Sequence, residues 1–277
     1  MADQADAVVQ KVFVILDPTR LVQPVVEKAE WVAVRNGALM HLYCCLWDAS
    51  IAKDEAVIGT TLERAKAWLE RIAAGSRAHG LEVTTEVDWA PDWRDRIVAA
   101  SRSANADLVV KTAARHSSVR RQLTKTSDWE LLRNASCPTL LVDPSLDTNT
   151  GKVLAAVKLK PGSETHSILN ERVVQLAHRI AAAMDAELHA VTVYKGEDIY
   201  FDRQAFANSC GLPRNKVHAV EGNPAKGIAE VAAEIDAGVL IIGCAAKQSP
   251  ERGIIIGDTA QKVIDEVHAD MIVVPAD

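Results

Sequence analysis

The residues best suited to chemistry lie in one glycine-bounded segment of the second half of the chain. Gly243 ends an apolar strand-like run, and Gly257-Asp258-Thr259 opens a run with helical periodicity. A glycine lets the backbone approach a ligand closely, and the free N–H groups at a helix N-terminus attract a phosphate. Thr259 adds a hydroxyl donor. The alternative is that both glycines are turn residues and that Thr259 only caps the helix.

Spacings that would indicate an enzyme or a metal site are missing from the sequence. It has no nucleophile elbow, no GxxxxGK[ST] loop and no Cys or His pair at metal-ligand spacing. The five cysteines lack CxxC spacing and are typical of small buried side chains in a reducing compartment. We therefore expect a binding protein without catalytic residues and without a metal site.

Charge and hydropathy narrow the expected partners and compartment. A formal net charge of −6 does not provide the basic face that nucleic-acid binding requires. No apolar run approaches the roughly 20 residues that span a bilayer, and the N-terminal residues lack the pattern of a secretory signal. We expect a cytoplasmic protein that binds neither nucleic acid nor membranes.

Strand-like and helix-like runs alternate along the chain, and the whole series occurs twice. The run KVFVIL at residues 11–16 matches KVLAAV at residues 152–157, an offset of 141 residues (152 − 11). The pattern predicts ten strands, at 11–16, 41–47, 81–87, 107–110, 139–142, 152–157, 187–194, 216–222, 239–242 and 271–274. We expect two domains, residues 1–147 and 148–277.

Strands that are apolar on both faces and separated by helices indicate parallel sheets covered on both sides. Right-handed crossovers make each domain a doubly wound, Rossmann-like α/β fold with five parallel strands in the order 3-2-1-4-5. Ligands bind beyond the carboxyl ends of such strands, where the winding direction reverses. The loops at that position are 17–20 and 111–127 in the first half, and 158–162 and 243–259 in the second.

Several phrases make the chain similar to a known family. They are Gly222-Asn223-Pro224 at a helix start, the glycine loop after Gly243, TSDWELLR at 126–133 and GDTAQKVID at 257–265. With the internal repeat, they resemble the tandem-domain form of the universal stress protein family over essentially the whole chain. The resemblance implies a stress-response protein that binds ATP or another adenine nucleotide, with Mg²⁺, and has at most slow ATP hydrolysis.

The resemblance also implies an assembly and protein partners. Single-domain members of the family dimerise through their last strands. The segments 139–142 and 271–274 are therefore expected to pair antiparallel about a pseudo-two-fold axis. The chain would be a monomer that mimics a dimer, or a homodimer.

The family's nucleotide motif is G-x-x-G, nine residues, then G-[ST], and the second half matches it in part. Gly243 stands at the first glycine, and Ala246 stands where the second is expected. Ten residues, not nine, lie between Ala246 and Gly257, and Asp258 separates Gly257 from Thr259.

The family aspartate after the first strand differs between the halves. It is Asp17 in the first half, but Lys158 in the second, and a lysine attracts a phosphate but cannot accept a hydrogen bond. Thr112 and Arg115 stand at the first two glycine positions of the first half, which keeps only a remnant of the site. Arg115 either binds an anion or pairs within its basic loop, and the structural interpretation is favoured. We expect nucleotide binding in the second half.

A second interpretation stays open beside nucleotide binding. The chain would be a degenerate scaffold that acts through protein partners or a small apolar ligand in a groove. A short second helix near residues 202–210 would open that groove. A third, an adenine-nucleotide hydrolase, is disfavoured because no SGGxDS-like loop follows Leu16 or Val157.

Overall fold

The computed structural model describes residues 9–113, 127–145, 151–158, 164–194, 202–244, 247–249, 253–255 and 258–276. The chain divides into two compact units, Met1–Pro144 (unit 1) and Ser145–Asp277 (unit 2), and each is described by itself.

Unit 1 alternates strands and helices in the predicted order. Its elements are β1 Lys11–Ile15, α1 Pro24–Asn36, β2 Leu39–Leu46, α2 Glu55–Ala78, β3 Val83–Trp89, α3 Trp93–Ser103, β4 Leu108–Thr112, α4 Ser127–Asn134 and β5 Thr139–Val142. The strands are parallel and hydrogen-bonded in the order β3-β2-β1-β4-β5. This confirms the doubly wound α/β fold, with the winding reversing between β1 and β4.

Unit 2 repeats the arrangement. Its elements are β6 Lys152–Ala156, α5 Glu164–Met184, β7 Glu187–Tyr194, α6 Arg203–Cys210, β8 Val217–Glu221, α7 Pro224–Glu234, β9 Val239–Cys244, β10 Lys247–Ser249, β11 Gly253–Ile255, α8 Asp258–Glu266 and β12 Asp270–Pro275. Five strands are parallel in the order β12-β9-β6-β7-β8. The antiparallel pair β10–β11 was not predicted, because each strand is only three residues long.

Caps and apolar stripes explain why the helices begin and end where they do. In α7, Asn223 accepts hydrogen bonds from the N–H groups of Ala225 and Lys226, and Pro224 follows as the first helical residue, as predicted. Helix α1 ends at Gly37, whose φ of 62° is a left-handed conformation that suits glycine.

The pattern Thr60-x-x-Glu63 is a capping box that predicts a helix start at Thr60, and this prediction was wrong. The helix begins five residues earlier, at Glu55, because Asp54 accepts the N–H of Val57 and so caps it. Thr60 lies inside the helix, where its hydroxyl donates to the carbonyl of Ala56.

The cysteines are mostly buried, as expected for small apolar side chains. All five cysteines are free, and four of them are buried. Among the described residues, no helix is both long and apolar enough to cross a membrane.

Candidate functional site

The carboxyl ends of β1, β2 and β4 in unit 1 enclose a cavity of about 320 Å³. It is lined by Ile15, Leu16, Asp17, Pro18, Thr19, Arg20, Cys45, Leu46, Trp47, Trp93, Ile97, Lys111, Thr112 and Ala113. Ligands bind at this position in doubly wound sheets. Two of the three first-half residues predicted from the sequence, Asp17 and Thr112, therefore line the same cavity. The third, Arg115, lies outside the described residues.

Asp17 is held firmly at the end of β1. The N–H and hydroxyl of Thr19 both donate to Asp17 Oδ1, at 2.9 and 2.6 Å, and Arg20 Nε lies 3.3 Å from Oδ2. The side-chain amide of Gln23 accepts from the N–H of Asp17 at 3.2 Å and donates to its carbonyl at 2.6 Å. The loop is thus fixed at both the backbone and the carboxylate.

The charge on Asp17 is stabilised in this setting. Burial acts to raise the pKa of the carboxyl, but the two hydrogen bonds from Thr19 and the charges of Arg20 and Lys111 outweigh it. The pKa of Asp17 therefore lies below its ordinary value. At neutral pH the group is a carboxylate, which can accept hydrogen bonds from a ligand but cannot donate them.

Two indole rings form much of the apolar wall. Trp47 follows β2, is 39% exposed and packs at a tilt on Trp89, with ring centroids 5.6 Å apart. Trp93 begins α3 and lies beneath the guanidinium of Arg94, 4.4 Å from the ring centroid. Tryptophans at helix starts are usually core or interface residues, so the sequence alone does not assign Trp93 to a ligand cavity. The place of Trp47 directly after the second strand was the signal that could have assigned it to the cavity.

The β4 side of the cavity is polar. Lys111 Nζ donates to the carbonyl of Thr112 at 3.0 Å, and its charge acts on Asp17. Thr112 is 5% exposed, and its hydroxyl oxygen has no hydrogen-bond partner among the described residues. A buried hydroxyl without a partner reduces the free energy of unfolding.

The equivalent position in unit 2 carries Lys158. Asn170 accepts from the N–H of Lys158 at 3.1 Å and donates to its carbonyl at 2.7 Å, as Gln23 does for Asp17. The local backbone is therefore conserved between the repeats although the charge is reversed. Lys158 is exposed.

Gly243 lies inside β9, and its surroundings explain why it is a glycine. A Cβ atom there would lie only 2.6 Å from Cγ of Leu169 in α5 and 2.8 Å from Cδ2. Leu169 is 5% exposed, so it occupies the space above the glycine. In this structure Gly243 allows a helix to pack closely on its strand.

The rest of the predicted second-half site is described only in part. Ala246 and Gly257 lie outside the described residues. For Asp258 and Thr259 only the backbone is described, and it begins α8 as predicted. No group of three or more potential metal ligands is present in the described parts of either unit.

Comparisons with known proteins agree with the fold and the repeat. The universal stress protein family matches residues 9–143 and 203–275. The chain is 24% identical to "Universal stress protein E" of Escherichia coli K12 over 302 aligned positions, covering 98% of this chain and 95% of that one. It is 22% identical to "Universal stress protein E homolog" of Haemophilus influenzae, covering 69% of each chain.

Two solved structures are similar over the full length. A protein of unknown function from Pseudomonas aeruginosa PAO1 is 25% identical with a TM-score of 0.79, covering 98% of this chain and 93% of that one. A universal stress protein from Archaeoglobus fulgidus is 17% identical with a TM-score of 0.76, covering 97% and 99%. The second likeness concerns the fold alone.

Proposed function

The chain belongs to the universal stress protein family, and on that premise we propose that it is a cytoplasmic stress-response protein that binds an adenine nucleotide in unit 1. The observation that carries the proposal is the cavity at the ends of β1, β2 and β4, which combines a carboxylate, two cations and two indoles. Its volume lies at the small end of the range typical of ligand pockets.

The apolar part of the cavity suits a purine. The rings of Trp47 and Trp93 provide flat, apolar surface on which a base can stack. Asp17 is ionised and can accept only, so it suits the exocyclic amine of adenine or the ribose hydroxyls.

The polar part of the cavity suits a phosphate. Asp17 carries one negative charge, whereas Arg20 and Lys111 carry two positive charges, so the lining has a net charge of +1 (2 − 1). Cationic side chains stabilise a phosphate group without a glycine loop. When Mg²⁺ accompanies ATP, it would neutralise part of the phosphate charge.

Unit 2 is a second candidate for the same activity. Gly243, Ala246, Gly257, Asp258 and Thr259 form the partial motif there, and Lys158 could attract a phosphate. We rank it below unit 1 because Leu169 already fills the space at Gly243.

The experiment is calorimetric titration of the whole chain with ATP–Mg²⁺ and with AMP, after testing for co-purified nucleotide. We expect one saturable site. Asp17→Asn should weaken binding about 10- to 100-fold, the range for losing a hydrogen bond to a charged group. Asp48→Asn is the matched control. The N–H and the hydroxyl of Ser50 both donate to Asp48 Oδ1, at 2.8 and 2.7 Å, in the same way that Thr19 donates to Asp17.

Two other results of this titration would contradict nucleotide binding in unit 1. Binding that survives Asp17→Asn but is lost in Gly257→Glu would place the nucleotide in unit 2. Absence of binding at millimolar ATP, with no nucleotide carried through purification, would contradict the proposal.

A scaffold that binds protein partners is then the second candidate function. The observation that favours it is the exposure of Leu21 (104%) and Val22 (75%) in the loop beside the cavity. Exposed apolar neighbours of this kind are suited to protein contacts. In either case we place the protein among binding proteins, with at most slow ATP hydrolysis.

A further inference from the structure

Two histidines of unit 2 bond directly to each other across neighbouring strands. His189 lies in β7 and His218 in β8, and His189 Nδ1 is 2.9 Å from His218 Nε2. The ring centroids are 5.2 Å apart and the ring planes differ by 22°. A nitrogen–nitrogen contact of 2.9 Å with this centroid distance means that the rings meet edge to edge.

A carboxylate determines which nitrogen carries each proton. His189 Nε2 bonds to Glu187 Oε1, and an ionised carboxylate only accepts, so Nε2 must carry hydrogen. In neutral His189, Nδ1 is then a bare acceptor. His218 Nε2 must therefore be the donor, and one proton occupies the gap between the rings.

The pair lies on the sheet face against which α7 packs, and charged groups from several elements surround it. Gly227 of α7 packs on Val193 and Val220, which lie on the same strand faces as His189 and His218 because alternate residues share a face. His189 is 7% exposed. The charged groups that face the pair are Glu187 of β7, Lys216 before β8, Arg203 of α6 and Glu234 of α7.

We propose that His189 and His218 form an acid-sensitive latch between β7 and β8. The latch is closed while one proton occupies the gap and opens when both rings are protonated. When both rings are protonated, an N–H group of each ring points at the other across 2.9 Å, so the hydrogen bond is lost. Two positive charges then lie close together and repel each other. In the described part of unit 2, β8 is the last strand in the hydrogen-bonding order, so this link joins an edge strand to its neighbour β7.

Unit 1 has a histidine at the equivalent position, but this histidine bonds to a hydroxyl and a carboxylate and not to a second histidine. His41 and His189 are both the third residue of the second strand of their unit. His41 Nδ1 lies 2.8 Å from the hydroxyl of Thr84, and Nε2 lies 3.1 Å from Glu86 Oε2. A hydroxyl can accept as well as donate, so both contacts persist when His41 is protonated. Unit 1 is therefore an internal control.

The pH dependence has a definite sign. Burial, followed by the charge of His189 and those of Arg203 and Lys216, lowers the pKa of His218 below its ordinary 6.5, and Glu234 only partly opposes them. A histidine with a lowered pKa contributes stability above the unfolded value, and that stability is lost as pH falls through the folded value. Glu187 stays ionised in this window, because its bonds to Lys216 and His189 lower its pKa to about 2.

The test is hydrogen exchange of the whole chain between pH 7.5 and pH 5, corrected for intrinsic exchange rates. We expect the protection of residues 217–221 to fall below about pH 6.5, by up to about tenfold per pH unit for each proton taken up. Residues 83–89 of unit 1 should show no such fall.

Variants separate the latch from general acid sensitivity. His218→Gln keeps a donor for His189 Nδ1 but cannot be protonated, so the pH-dependent loss in 217–221 should disappear. His41→Gln should leave that loss unchanged. An equal fall in protection in wild type and His218→Gln would overturn the proposal. So would imidazole ¹⁵N spectra of the wild type at pH 7.5 that show hydrogen on His189 Nδ1.

Discussion

Gly243→Val is expected to destabilise unit 2 by more than the corresponding alanine change, which should itself cost about 1–3 kcal/mol through overpacking. The Cβ of any side chain would lie 2.6 Å from Leu169 Cγ, well inside the roughly 3.5–4.0 Å of a normal carbon–carbon contact. Leu169 is 5% exposed, so it is packed inside unit 2. The Leu169 side chain, the helix α5 or the strand β9 must therefore shift.

Urea unfolding of the whole chain, followed by hydrogen exchange in 239–244, measures the effect. Gly59→Ala is the matched control, because Gly59 is exposed in α2 and nothing lies within 4 Å of its Cβ position. That change should stabilise the chain by roughly 0.5–1 kcal/mol. Leu169→Ala should make the Gly243 substitution less costly than in wild type, since the two sites are in contact. Unchanged stability of Gly243→Val would contradict the packing role of Gly243.

The second large effect is expected at Tyr43 in unit 1. Tyr43 is fully buried, lies 5.1 Å from Phe13 between ring centroids, and donates its hydroxyl to Asp88 Oδ2 at 2.8 Å. Arg96 Nε holds the same oxygen at 2.6 Å. Tyr43→Ala should cost about 3–5 kcal/mol, because it leaves a cavity and an unmade bond. Tyr43→Phe keeps the ring and should cost roughly 1.5–3 kcal/mol.

Acid should reduce the cost of Tyr43→Phe. Burial raises the pKa of Asp88, but the bonds from Arg96 and Tyr43 outweigh it and hold the pKa below its ordinary 3.8. Asp88 therefore contributes stability above pH 3.8 that is lost as pH falls further. Denaturant titrations of wild type and Tyr43→Phe at pH 7 and pH 3 measure the change. A cost of Tyr43→Phe near zero at pH 7 would mean that the Tyr43–Asp88 bond contributes little.

The sequence by itself determined the features that depend on neighbours along the chain. Apolar periodicity is a local property, so it was enough to predict the repeated order of strands and helices and the doubly wound fold. The Asn223-Pro224 cap was likewise predictable, because a cap bonds to residues only two or three positions away. Asp17 was recognised from its place directly after the first strand.

Only the tertiary structure decided the features that depend on residues far apart in sequence. The cavity of unit 1 requires Asp17, Trp47 and Lys111 to meet, and strand order and register determine whether they do. Leu169 lies 74 positions before Gly243 (243 − 169), so no local pattern indicates that it fills the space there. His189 and His218 are likewise brought together by the pairing of β7 with β8. Sequence spacing places a residue on an element, whereas packing between elements decides what its side chain contacts.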